Sequence, residues 1–107
     1  MNTEINSEVQ QIAMLIIANS GEAKGLSFQA LRAMREKDID KAREYLKEAN
    51  KYIHEGHLAQ TKLLTLTAQG VEINMDVLTV HAQDHLMTTM IATELIEEMI
   101  EIFAERV

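Results

Sequence analysis

"VHAQDHLMTTMIATELIEEMIEIF", residues 80–103, contains no proline, no glycine and no other turn signal. With Leu78 just ahead of it, the run carries Val80, Leu86, Met87, Met90, Ile91, Leu95, Ile96, Met99, Ile100 and Phe103. On an α-helix these side chains cover most of the circumference, whereas a surface helix of a small bundle shows one apolar stripe and one polar face. This helix, expected over about 75–104, therefore needs cover on two sides. Other helices of the same chain can supply one side, and further copies of the chain can supply the other.

The remainder of the sequence provides the inner cover. Ile5, Val9, Ile12 and Ile16 recur at three- and four-residue steps, and the phase resumes with Ala23, Leu26, Ala30 and Met34, which predicts a first helix over about 5–36. Gly21 and Gly25 weaken it locally, by roughly 1 kcal/mol each relative to alanine, and Gly21 is a candidate bend. The charged run "REKDIDKAREYL" interrupts the pattern, and Asp38 suits an N-cap with Asp40 in the following first turn. A second helix over about 38–68 has the stripe Ile39, Ala42, Leu46, Ala49, Ile53, Gly56, Gln60 and Leu63, and "TAQGVEIN" around Gly70 connects it to the third. The expectation is an all-α, three-helix up-down-up bundle, a single domain spanning 1–107. Helices of about 30 residues, each roughly 45 Å long, make a thin bundle that leaves an outer flank of the third helix for self-association.

Composition narrows the function classes. The chain of 107 residues has no cysteine, which removes disulfides, thiolate metal sites and cysteine nucleophiles. No basic flank precedes an apolar segment at the N-terminus, and no apolar run approaches the ~18 residues of a membrane span, so a cytoplasmic protein without membrane insertion is expected. A net charge of −7 argues against nucleic acid and anionic lipid and favours a basic protein partner.

The chemistry-bearing residues interrupt the apolar pattern. His81, Asp84 and His85 stand at i, i+3 and i+4, neighbours on one helix surface. If the second and third helices form a hairpin turning near Val71, His81 lies level with about Thr61, so Gly56, His57 and Gln60 fall near the level of His81 to His85. A polar site shared by the two helices is then expected. A zinc centre of the H-x-x-E-H type would need a further carboxylate ligand and an acid/base, where this sequence has the shorter Asp84. Met87, Met90 and Met99 stand among leucines and isoleucines and read as packing. Two classes remain: a phosphoryl carrier that uses a histidine, and a non-catalytic helical oligomerisation or adaptor module with a polar seam.

The blocks "IIANSGEAKGLSFQALRAMREKDIDKA", "HLAQTKLL" and especially "VHAQDHLM" resemble the lactose/cellobiose-specific IIA component of the bacterial phosphoenolpyruvate-dependent sugar phosphotransferase system over roughly residues 12–103. The resemblance implies a cytosolic three-helix protein assembled as a homotrimer. It implies an enzyme-like phosphohistidine carrier that takes phosphate from phospho-HPr and passes it to a cysteine of the cognate IIB component during uptake of a cellobiose-, chitobiose- or lactose-type sugar. His81 matches the phosphoryl acceptor. Asp84 matches the aspartate whose three copies meet around a divalent cation such as Mg²⁺, one per trimer. Gln83 and His85 match neighbouring motif positions, and they and Gln60 are candidate supporting donors. Gly56 stands where alanine is usual.

Such chemistry suits the residues. Imidazole, with a reference pKa near 6.5, is largely neutral and nucleophilic at neutral pH. Phosphoryl transfer passes through a loose in-line transition state that needs positioning and hydrogen-bond donors.

Overall fold

A computed structural model describes residues 3–106, so residues 1–2 and Val107, the ends of the expected 1–107 domain, lie outside the described residues. Three helices account for nearly all of it: α1 over Thr3–Arg35, α2 over Ile39–Ala68 and α3 over Val77–Ala104. They run up, down and up in a rod of 57 × 19 × 19 Å, as the three periodic segments predict. Gly21 and Gly25 do not interrupt α1, and a side chain at either position would meet open space.

The two connections end the helices by different means. After α1, Lys37 takes a left-handed backbone (φ 64°), and the Asp38 N–H reaches back to the Ala33 carbonyl at 3.0 Å, which satisfies a carbonyl at the helix end. Asp38 then caps α2 by accepting from the Lys41 N–H at 3.1 Å, the role its sequence position suggests. Between α2 and α3, Gly70 supplies a φ of +85°, a conformation open to glycine.

Packing divides the interior into three levels. Val9, Ile12, Ile16, Leu63 and Leu86 are among the residues forming an apolar cluster toward the α2–α3 end. Ala30, Met34, Leu46, Ile96 and Ile100 belong to a second cluster toward the α1–α2 end. Between the clusters lie small and hydroxyl side chains, Ser20, Ser27, Thr89 and Thr93, all buried. Ser27 Oγ donates to the Ala23 carbonyl at 2.8 Å and so can accept from Thr93 Oγ1 at 2.7 Å, joining α1 to α3. Ser20 Oγ is buried with no hydrogen-bond partner among the described residues.

Gly56 lies against this waist. A Cβ there would stand 3.1 Å from Leu86 Cδ1 and 3.6 Å from Asn19 Cβ, so the missing side chain lets α2 approach α1 and α3 closely. The same contact confirms the hairpin register expected around Val71. Gln60 meets Gln83, and further along Arg43 meets Glu101.

Candidate phosphoryl-acceptor site

Helix α3 is anchored just before the motif. Asp76 caps it, accepting from the Thr79 N–H at 2.9 Å and from the Thr79 hydroxyl at 2.8 Å. The backbone bond first, and then the hydroxyl bond, hold the Asp76 carboxyl below its ordinary value. From this fixed start the helical period carries His81, Asp84 and His85 to adjoining positions on the surface.

They do not converge. His81 is exposed and His85 half-buried, and their rings meet edge to face with centres 5.7 Å apart and planes at 61°. His85 Nδ1 lies 3.2 Å from the hydroxyl of Thr89 one turn on. Asp84 is exposed in the outer apolar stripe between Val80 and Met87, and its carboxylate has no hydrogen bond or ion pair among the described residues. Among the described residues, no group of three or more His, Cys, Asp or Glu side chains stands close enough to hold a metal ion within one chain. The three-ligand arrangement that a zinc centre would need from His81, Asp84 and His85 is therefore not formed.

The glutamines lie elsewhere on the helix. Gln60 Nε2 donates to Gln83 Oε1 at 2.6 Å and also approaches Met87 Sδ at 3.7 Å, forming a polar seam between α2 and α3. Gln83 is two residues from each histidine, and side chains two apart on a helix are separated by roughly 160°. The two helices thus share a polar contact at the expected level through Gln60 and Gln83, and no hydrogen bond joins either glutamine to His81 or His85 among the described residues. Equal distance from the turn fixes height along the hairpin but leaves the direction around each axis free. His54 and His57 are both exposed on α2.

Thr89 and Asp76 carry no mark in the apolar periodicity. The signal available for Thr89 is its i+4 offset from His85, and for Asp76 its place before an apolar helix with Thr79 three residues on.

The structure is thus a slender all-helical rod that presents an exposed histidine beside a second one on a V-H-A-Q-D-H-L-M helix. Residues 11–104 match the model for the lactose/cellobiose-specific IIA subunit of the PTS system, and the chain belongs to that family. Its members are phosphocarrier components of a transferase system. The chain is 38% identical over 96 residues to the lactose-specific EIIA component of Staphylococcus epidermidis, covering 90% of this chain and 92% of that protein. Among solved structures it resembles PtcA from S. mutans with a TM-score of 0.90 and 47% identity, covering 97% of this chain and 99% of that one. It also resembles the IIA(Chitobiose) in solution structures of its complex with HPr from Escherichia coli, with a TM-score of 0.74 and 35% identity, covering 91% of this chain and 94% of that one. No helix among the described residues is long and apolar enough to cross a membrane.

Proposed function

We propose that this chain carries a phosphoryl group on His81, taking it from phospho-HPr and passing it to a cysteine of a cognate IIB component in the cytoplasm. The observation that carries the reading is the exposed His81 ring, without a hydrogen bond of its own among the described residues, edge to face with His85. A relay histidine must be reachable by two successive protein partners, and a ring on the open flank of a helix meets that need. In the first step a His81 ring nitrogen attacks phosphorus as the bond between phosphorus and its carrier atom on HPr breaks, the electron pair leaving with HPr. In the second the IIB thiolate attacks, an S–P bond forms, and His81 recovers its lone pair. Neither step calls for a nucleotide-binding loop. A structural relative in complex with HPr supports HPr as the donor.

The working unit is a homotrimer in this proposal. The outer stripe of α3, including Val80, Met87, Ile91 and Leu95, is exposed in the single chain, and covering it removes apolar surface from water. Three unpartnered Asp84 carboxylates brought together in that stripe repel one another unless a hard divalent cation such as Mg²⁺ is held between them. Such an ion supplies charge neutralisation to the assembly. The sugar served belongs to the lactose, cellobiose or chitobiose type, by likeness to relatives of those specificities.

Incubation with phosphoenolpyruvate, enzyme I and HPr, followed by intact mass measurement, should add one phosphoryl group, about 80 Da, per chain. His81→Ala should take up none. Stoichiometric labelling of that variant, or two phosphates on the native chain, would overturn the assignment.

A further inference from the structure

We infer that Thr89 is a positioning residue for the phosphoryl site, holding His85 in the tautomer that presents an Nε2–H donor to the group carried by His81. The inference rests on the carrier role proposed for His81 and goes beyond it. Thr89 is 2% exposed, and its hydroxyl meets His85 Nδ1 at 3.2 Å. A helical threonine ordinarily donates to the carbonyl one turn back, as Thr88 does to the Asp84 carbonyl at 2.9 Å and the His85 carbonyl at 3.2 Å. Thr89 has no such bond, and the imidazole is its only hydrogen-bond partner among the described residues.

That single contact decides the direction of the proton. If a neutral His85 donated from Nδ1, the buried Thr89 O–H would have no acceptor, and a buried donor left without one is costly. If the hydroxyl donates to Nδ1 instead, its proton is satisfied, and the ring's own proton resides on Nε2. Nε2 has no partner among the described residues, so it is free to donate. The ring centres stand 5.7 Å apart, close enough for a donor on one ring to meet a phosphoryl oxygen carried on the other. A charge-assisted bond of that kind is stronger than a neutral one. Thr89 thus acts through His85 and touches no reacting atom.

Two substitutions separate this role from simple packing. Thr89→Val keeps the shape and removes the hydroxyl, and Thr89→Ser keeps the hydroxyl and removes a methyl. The first measurement is the ¹⁵N chemical shifts of the His85 ring in the unphosphorylated protein, in alkaline buffer where imidazoles are neutral. Native protein and Thr89→Ser should show the Nε2–H form, and Thr89→Val should move toward a mixture. The second is the rate of phosphoryl transfer from phospho-HPr, which should fall about tenfold in Thr89→Val, the loss of roughly one hydrogen bond to a charged group, and recover in Thr89→Ser. The inference is overturned by native ring shifts in Thr89→Val, by shifted rings with an unchanged transfer rate, or by Thr89→Ser behaving as Thr89→Val does. A native chain that accepts no phosphate refutes the carrier role instead, and the ring shifts still report on the Thr89 contact.

Discussion

On α3 the face turned toward α1 and α2 carries Thr79, Ala82, Thr89 and Thr93 beside Leu86, Ile96 and Ile100. The opposite face carries Val77, Val80, Met87, Ile91, Leu95 and Ile102 around Asp84 and Glu98, and it is exposed. The buried face is the more hydroxylic of the two, and the exposed face has the longer run of large apolar side chains. Hydropathy alone does not say which face of such a helix looks inward. Thr89 and Thr93 are tolerated inside because each has a hydrogen-bond partner, His85 and Ser27 respectively. The large side chains outside are accounted for by the assembly proposed above, in which a second interior forms between chains.

The strongest test of the inner face is Leu86, which is fully buried against Gly56. Leu86→Ala should lower the unfolding free energy by about 3.5 kcal/mol, the middle of the range for buried aliphatic side chains cut to alanine, as read by denaturant melts followed by circular dichroism. If it costs no more than a surface substitution, the assignment of the inner face is wrong.

On the outer face, Ile91 is 59% exposed in the single chain. Ile91→Glu should change the stability of the chain by itself by no more than roughly 0.5 kcal/mol while converting the proposed trimer to monomers in sedimentation runs. Asp84→Leu should do the reverse, keeping the trimer and making it indifferent to a chelator, because replacing converging charges by apolar groups is commonly neutral or stabilising. A trimer weakened by Asp84→Leu would instead make the cation a net stabiliser.

The waist behind the inner face yields a smaller effect of opposite sign. Ser20 Oγ is desolvated without a partner among the described residues, so Ser20→Ala should raise stability by about 1 kcal/mol. A loss of that size would show that the hydroxyl has a partner in solution.

The least of the expected effects concerns the start of α3. The Asp76 carboxyl sits below its ordinary value of 3.8 because of its bonds to Thr79. Its contribution is therefore complete above the unfolded value and is lost as the pH falls through the lower folded one. Asp76→Asn should flatten the acid limb of the stability profile by slightly lowering stability at neutral pH, while leaving stability at the acid end nearly unaffected. An unchanged acid limb would remove Asp76 from the account.

Much of this molecule was legible from residues alone because its determinants are local. Helical periodicity, the absence of proline and the capping aspartate at Asp38 located three helices whose ends differ from expectation by a few residues. Counting from one turn located the hairpin register, since two antiparallel helices advance at the same rise per residue. The motif containing His81, Asp84 and His85 was equally readable, being contiguous in sequence. Tertiary structure alone decided the azimuths. It turned Gln83 to Gln60 and away from His81, chose the threonine-bearing face of α3 as the inner one, buried Ser20 and Ser27 at a level where apolar periodicity gives no signal, and brought the Thr89 hydroxyl to His85. The physical reason is that a residue's height is set by its own helix, whereas the direction it faces acquires meaning only when neighbouring helices cover one side and leave the other open.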